Sequence, residues 1–373
     1  MRRYRFDENI VIKQLITINR GGYFMNNSEY NEYIKGALDL YPLYLKKLFI
    51  KKLRDKNLVI TDSRKKSTSN SALDISIYNN VDERCYHIID ELNNSQSYFE
   101  DFEYNKEYKY SIIFKYDMDN FPLFVDKIMS CPYTKIINNG ATEQAETTPS
   151  IAYVKKYSHS ICLKLNFKYE PIDLDGNTVK FKYPIIIKFF DNGLLDIRFD
   201  RLQTKLYSAS TDLYHRNILL IKKWILQNLN INIINIDMQS VVDRITRNED
   251  SAVKYAQSMS SRTGGEATLK VNKDYVLPIL GELKQLMIDN QDIFDKASDA
   301  KSLLEDFIED IEETSDLPWI SLCWKNKHKT KELIVRFSFN YMGEGYTLLQ
   351  YQGLLRDVER MDQVVKCIAS NME

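Results

Sequence analysis

Hydrophobic and polar positions alternate with a period of two in several runs between residues 151 and 205. Residues 159–167, 179–183 and 194–199 alternate in this way, and residues 185–190 are apolar apart from one lysine. The Asp191-Asn-Gly193 segment between the last two runs has the composition of a tight turn. Alternation predicts strands with two distinct faces, and such turn residues predict hairpins. The pattern therefore predicts an antiparallel sheet in the middle of the chain.

Other segments show helical or strand periodicity on both sides of this predicted sheet. Apolar residues recur at spacings of three and four in residues 29–57, which predicts a helix that Pro42 kinks or splits. Residues 109–116 have the composition of a strand, and a helix is predicted at 123–129. Further predicted helices cover 210–229, 241–259, 275–294, 301–311 and 354–368, and further strands cover 319–324, 332–339 and 346–351.

This order of elements predicts an α+β fold. The length of 373 residues favours two domains. Residues 138–150 contain no large apolar side chain, which is typical of a linker. We therefore predict an N-terminal mixed domain at 1–137, a linker at 138–150, and an antiparallel-sheet and helix domain at 151–373.

The composition indicates a cytoplasmic protein without a membrane partner. Five cysteines form no framework spacing, which is typical of reduced thiols. Lysine or asparagine interrupts each apolar stretch before it reaches the roughly 18 residues that a membrane span needs.

Charge is distributed unevenly along a chain whose net charge is only −1. Residues 151–247 contain 15 basic and 9 acidic residues, whereas residues 248–373 contain 15 and 22. Eleven carboxylates lie between Asp289 and Asp316, against Lys296 and Lys301. This acidic stretch is interpreted as a solvated helix face, as a segment that repels nucleic acid, or as one that docks on the basic sheet of the same chain.

The basic residues of the predicted sheet and the helix after it form a candidate nucleic-acid-binding site. Its members are Lys164, Lys168, Lys180, Lys182, Arg198, Lys222 and Lys223. Residues two apart share a face of a strand, so a row of lysines can contact successive phosphates. The hypothesis requires that the five strand residues are exposed together. The alternative is the ordinary solvated outer face of an antiparallel sheet.

Two groups of carboxylates are candidates for metal-dependent chemistry. Asp117 and Asp119 follow the 109–116 strand, and two carboxylates at this spacing can share Mg²⁺ in a nuclease or nucleotidyltransferase. The sequence has no accompanying Gly-Ser nucleotide loop and no clear third carboxylate. Glu107-Tyr-Lys109, with Asp101 or Asp90 upstream, has the local spacing of another nuclease type. The alternative for both groups is a structural role.

The leading functional hypothesis is a non-enzymatic binding or scaffold subunit that needs no cofactor or metal. Its setting would be a microbial or viral multi-protein assembly, including DNA processing or phage defence, with protein partners and with nucleic acid as a further partner. The alternatives are a metal-dependent nuclease or nucleotidyltransferase that uses Asp117 and Asp119, and a module that binds only proteins.

Overall fold

A computed structural model describes residues 25–62, 72–137, 143–172, 176–202, 213–247, 252–260, 266–270, 283, 286–314, 316–324, 332–352 and 359–372. The helices are α1 (Asn27–Leu40), α2 (Leu43–Asp55), α3 (Val81–Glu91), α4 (Ser95–Asn105), α5 (Phe121–Met129), α6 (Leu213–Trp224), α7 (Met238–Arg247), α8 (Gln291–Phe294), α9 (Ser298–Thr314) and α10 (Glu359–Ala369). The strands are β1 (Val59–Ile60), β2 (Leu73–Asp74), β3 (Tyr110–Tyr116), β4 (Thr134–Ile136), β5 (Ala152–Lys156), β6 (Ser160–Tyr169), β7 (Phe181–Phe190), β8 (Leu194–Phe199), β9 (Ile233–Asn235), β10 (Val253–Ser260), β11 (Glu266–Lys270), β12 (Asp316–Trp324), β13 (Leu333–Ser338) and β14 (Leu348–Gln352).

Twelve of the described strands form one sheet, in the order β11-β10-β12-β13-β14-β3-β8-β7-β6-β5-β4, and β9 also pairs with β3. The central strands pair antiparallel, whereas β4 and β5 run parallel. Helices accompany this largely antiparallel sheet, so the predicted α+β class is confirmed. The hairpin between β7 and β8, turned by residues 191–193, is also confirmed.

Both faces of the central strands are buried. On β7, Phe181, Tyr183, Ile185, Ile187 and Phe189 face an apolar core that includes residues of α5 and α6. The opposite face is covered near β6 and β7 by the N-terminal helices, whose residues form a second core, and near β13 and β14 by residues of α7 and α10. A sheet that is covered on both faces has no solvated side, whichever residues alternate along its strands.

The N-terminal helices follow from local sequence signals. The side chain of Asn26 accepts a hydrogen bond from the backbone N–H of Glu29 and caps α1. Pro42 separates α1 from α2, so the predicted split of the 29–57 helix is confirmed. Gly36 allows α1 to lie directly on β7, because an added Cβ atom would come within 1.8 Å of the Lys180 carbonyl oxygen.

The sheet is continuous across the predicted 138–150 linker. β3, from the chain before this segment, lies between β8 and β14 from the chain after it. Within the described part of the segment, Glu143 and Ala145 are buried. The backbone N–H of Glu146 donates to the carbonyl oxygen of Asn166. The described part of the predicted linker thus contains buried residues, whereas Thr147, Thr148 and Ser150 are exposed.

One prediction of secondary structure needs correction. The helix predicted at 241–259 ends with α7 at Arg247, and residues 253–260 form β10 instead, where pairing with β12 determines the conformation. The runs at 179–183 and 185–190 form one continuous strand, β7. Pro184 is accommodated because it pairs with Asn166 of β6 and lies beyond the stretch of β7 that pairs with β8.

Candidate functional site

Three of the basic residues predicted to bind nucleic acid are buried. The exposed fractions of Lys164, Lys182 and Arg198 are 0%, 1% and 1%. Their side chains lie on the face of the sheet that α4 and α10 cover, where helix carboxylates bind them. The prediction that the five basic strand residues are exposed together is therefore wrong.

The first group of buried charges comprises Lys164, Lys182, Glu100, Glu103 and Glu143 and is called the lysine cluster. Lys164 Nζ donates to Glu100 and lies 3.3 Å from Glu103 Oε2 and 3.0 Å from Glu143 Oε2. Lys182 Nζ lies 2.5 Å from Glu100 Oε1 and 2.6 Å from Glu103 Oε2. Each lysine is thus held by more than one carboxylate, which offsets the cost of removing its charge from water.

Three carboxyl groups face only two ammonium groups in the lysine cluster, and their pKa values diverge accordingly. Burial raises the pKa of Glu143 well above its ordinary value, and the charge of Glu100 raises it further. Burial also opposes ionisation of Glu100, but Lys164 and Lys182 outweigh this effect and hold its pKa well below the usual range. The pKa of Glu103 is also raised, chiefly by burial. Within the lysine cluster a proton is therefore favoured at Glu143 and disfavoured at Glu100.

The second group of buried charges comprises Arg198, Asp196, Asp362 and Lys188 and is called the arginine cluster. Arg198 Nε donates to Asp196 Oδ2 at 2.7 Å, and its Nη2 donates to Asp362 Oδ1 at 2.6 Å. Lys188 Nζ donates to the other oxygen of Asp362 at 2.7 Å. Asp362 lies on α10, so this carboxylate attaches the C-terminal helix to β7 and β8.

The other four residues predicted to bind nucleic acid do not together form the exposed basic surface that the hypothesis requires. Lys180 and Lys223 are exposed, whereas Lys168 and Lys222 are partly buried. Lys168 Nζ lies 5.7 Å from the centre of the Tyr33 ring, and Lys222 Nζ lies over Phe114 and Tyr346. These contacts engage Lys168 and Lys222 with aromatic rings of the same chain.

The carboxylates that hold the cations of the lysine and arginine clusters come from α4, β8, α10 and Glu143. None of the ion pairs found for these cations in the described part of the chain involves the acidic 289–316 stretch. These cations are therefore engaged by other carboxylates, and docking of the acidic stretch on the basic sheet stays a hypothesis.

The surroundings of the candidate metal-binding carboxylates differ from those that a metal site requires. Asp117 and Asp119 are exposed after β3. Across the described ranges, no group of three His, Cys, Asp or Glu side chains is arranged to hold a metal ion. Asp101 binds Lys155, and Asp90 Oδ1 lies 2.9 Å from Lys35 Nζ, so both candidate upstream acids of the Glu107-Tyr-Lys109 triplet are engaged by lysines.

A helical hairpin at residues 286–314 provides the strongest candidate for an interaction surface. Residues 286–289 are helical and end at Asn290, whose Nδ2 donates to the Leu286 carbonyl oxygen at 2.9 Å. Met287 packs against Ile308 of α9 in a small core that is separate from the larger ones. Leu304 also contacts this core, so positions 304 and 308 define the inward stripe of α9.

The neighbouring stripe of α9 is exposed and apolar. Leu303 and Phe307 are one helical turn apart and are 71% and 55% exposed. Acidic residues accompany them on the same helix, including the exposed Asp299 and Asp306. The hairpin also exposes more than half of each of three other apolar side chains, Leu286, Ile288 and Ile293. Apolar side chains grouped on one acidic element are typical of a protein contact surface.

The sequence contained a signal for the buried partners that the basic-surface hypothesis missed. Glu100 and Glu103 lie three residues apart on α4, beside the buried Phe99 and Phe102. A pair of carboxylates on the apolar side of a helix indicates that cations lie opposite them.

No family model, curated protein or solved structure matches this chain. Among the described helices, none combines the length and apolar character needed to cross a bilayer.

Proposed function

We propose that the protein is a non-enzymatic binding subunit of a multi-protein assembly, and that the 286–314 hairpin contacts a partner protein. The observation that carries this proposal is the exposed Leu303–Phe307 pair on an acidic helix. Burial of a leucine or phenylalanine side chain contributes about 1.5–3 kcal/mol, so this pair can anchor a complex.

The charge around the pair favours a basic, amphipathic segment as the occupant. Eleven carboxylates and two lysines lie between Asp289 and Asp316. Lysine or arginine side chains that flank apolar anchors would complement this charge, and such complementarity accelerates encounter and fixes orientation. The same negative charge repels phosphates, which favours a protein partner over nucleic acid at this surface.

The spacing of the pair favours a helical partner segment. Side chains one helical turn apart form a short ridge that fits between apolar side chains of a second helix. We therefore expect the partner segment to present apolar residues at spacings of three or four, with basic residues beside them.

Photo-crosslinking tests the proposed contact directly. A photoreactive phenylalanine analogue would replace Leu303 in the full chain, expressed in its native host, and the crosslinked protein would be identified by mass spectrometry. The matched control carries the analogue at Leu226, which is also exposed but lies on the helical turn after α6.

We expect one predominant adduct at position 303 that is absent at position 226, joined to a basic amphipathic segment. Adducts that are identical at the two positions would contradict the proposal. So would an adduct at 303 that contains a second copy of this chain or nucleic acid.

A further inference from the structure

A cavity of about 330 Å³ lies where the sheet meets the N-terminal helices. Its walls come from the end of α1, the start of α2, the residues before β3, the first part of β7 and the residues after β8. β7 extends here beyond the stretch that pairs with β8, because that pairing ends where Ile186 of β7 lies opposite Arg198 of β8. The volume is within the range of about 300–1,000 Å³ that is usual for small-molecule sites.

Glu107 is a buried part of the cavity wall. Its exposed fraction is 5%, and its Oε2 has no hydrogen-bonding partner among the described residues and almost no accessible surface. Burial raises the pKa of Glu107, and interaction with the Tyr44 side chain opposes this effect. Because Oε2 is closed to a water molecule, a ligand in the cavity does not reach it.

Lys109 and Arg201 supply positive charge to the same cavity. Burial lowers the pKa of Lys109, the Glu107 carboxylate opposes this effect, and the charge of Arg201 lowers the pKa further. Two positive charges in one cavity wall favour the binding of an anion. Two other lysines near the cavity already have carboxylate partners, since Lys106 binds Asp200 and Lys182 binds Glu100 and Glu103.

Aromatic rings form much of the remaining wall. Tyr41 donates its hydroxyl to Glu103 at 3.0 Å, and Tyr183 donates its hydroxyl to the Asp200 carbonyl oxygen at 2.5 Å. These hydrogen bonds fix the two rings that line the cavity, together with the apolar Leu40, Leu45 and Leu202. Fixed aromatic and apolar surfaces favour a flat ring as the body of the ligand.

We propose that this cavity binds a nucleoside monophosphate, with its phosphate at Lys109 and Arg201 and its base against the Tyr41 and Tyr183 rings. The two wall features match two parts of such a molecule, which are an anion and a planar ring. This site is independent of the 286–314 hairpin and of the partner proposed for it.

Calorimetric titration of the full chain at pH 7 with AMP, GMP, CMP and UMP tests the proposal. We expect at least one mononucleotide to bind about tenfold or more tightly than both its nucleoside and inorganic phosphate, because only the mononucleotide engages both ends of the site. No detectable binding of all four mononucleotides at millimolar concentration would overturn the proposal, and so would equal binding of phosphate alone.

Arg201→Ala tests the phosphate end separately, because Arg201 is exposed and its loss should leave the fold intact. We expect weaker mononucleotide binding with unchanged nucleoside binding. The matched control is Lys223→Ala, an exposed cation on α6 that is absent from the cavity wall. Equal losses in the two variants would contradict a specific phosphate site.

Discussion

The Nζ atom of Lys182 lies 2.6 Å from Oε2 of Glu103, and both side chains are buried. Lys182 comes from a strand that was predicted to present its lysines to nucleic acid. Glu103 comes from α4, which covers that strand. Lys182, a candidate phosphate-binding residue, is therefore an interior residue. Loss of either charge would leave the other charge buried and uncompensated.

Removal of Lys182 should destabilise the protein strongly. In Lys182→Met, Glu100 and Glu103 lose one of their two ammonium partners, and we expect the free energy of unfolding to fall by about 3–5 kcal/mol. Urea denaturation followed by circular dichroism measures this change. The matched control is Lys180→Met, two residues away and exposed, which should change stability by about 0.5 kcal/mol or less. Similar effects of the two substitutions would show that Lys182 is not a buried ion-pair partner.

Glu143 and Glu100 should respond differently to replacement by glutamine. Glutamine resembles a protonated carboxyl group, and Glu143 is the member of the lysine cluster whose pKa burial raises well above normal. We therefore expect Glu143→Gln to cost about 1 kcal/mol or less, whereas Glu100→Gln should cost about 3 kcal/mol because it removes a charge that both lysines bind. The same denaturation experiment compares them. The reverse order would place the proton on Glu100.

Replacement of Asp362 should loosen α10. Asp362→Asn removes the negative charge shared by Arg198 and Lys188, and we expect a loss of about 3 kcal/mol. Hydrogen exchange should show faster exchange of the α10 amides. Glu359→Gln, at the exposed first residue of the same helix, provides the control and should leave this exchange unchanged. Unchanged exchange in Asp362→Asn would contradict the attachment role.

Glu107 should make the protein less stable as the pH rises towards neutrality. Burial raises its pKa from 4.5 to about 7, the charge of Asp200 adds to this, and Tyr44, Lys106 and Lys109 oppose it. Between these two pH values the folded state binds more protons at this site than the unfolded state, so the free energy of unfolding falls as pH increases.

The difference between the wild type and Glu107→Leu isolates this contribution. One pKa unit corresponds to about 1.4 kcal/mol, and solvent near the cavity reduces the effect, so we expect about 1–2 kcal/mol between pH 4.5 and pH 7. Urea denaturation at several pH values measures it. Parallel pH profiles for the two proteins would show that Glu107 has an ordinary pKa when folded.

Local patterns predicted most of the central elements but not what covers them. The alternation in β6 and β8, the Asp191–Gly193 turn and the split at Pro42 depend on neighbouring residues, and the structure has all of them. The burial of Lys164 depends on Glu100, which is 64 residues away in the chain. Periodicity distinguishes the two faces of a strand but does not identify which face is covered by a distant helix.

The candidate sites were predicted less well for the same reason. The cavity joins Tyr44, Glu107 and Asp200, which are far apart in the chain and form no motif. The acidic character of the 289–316 stretch was evident from composition, but the exposure of Leu303 and Phe307 depends on how α9 packs against Met287.

The affinity of the crosslinked partner for variants of α9 tests the central claim most directly. With the purified partner, calorimetry would compare the wild type, Leu303→Asp combined with Phe307→Asp, and the control Leu226→Asp, whose leucine is as exposed as Phe307 at 55%. We predict that the double substitution weakens binding by about 30-fold or more without lowering the thermal midpoint, and that the control binds as the wild type does. Equal affinities of the double variant and the wild type would contradict the account.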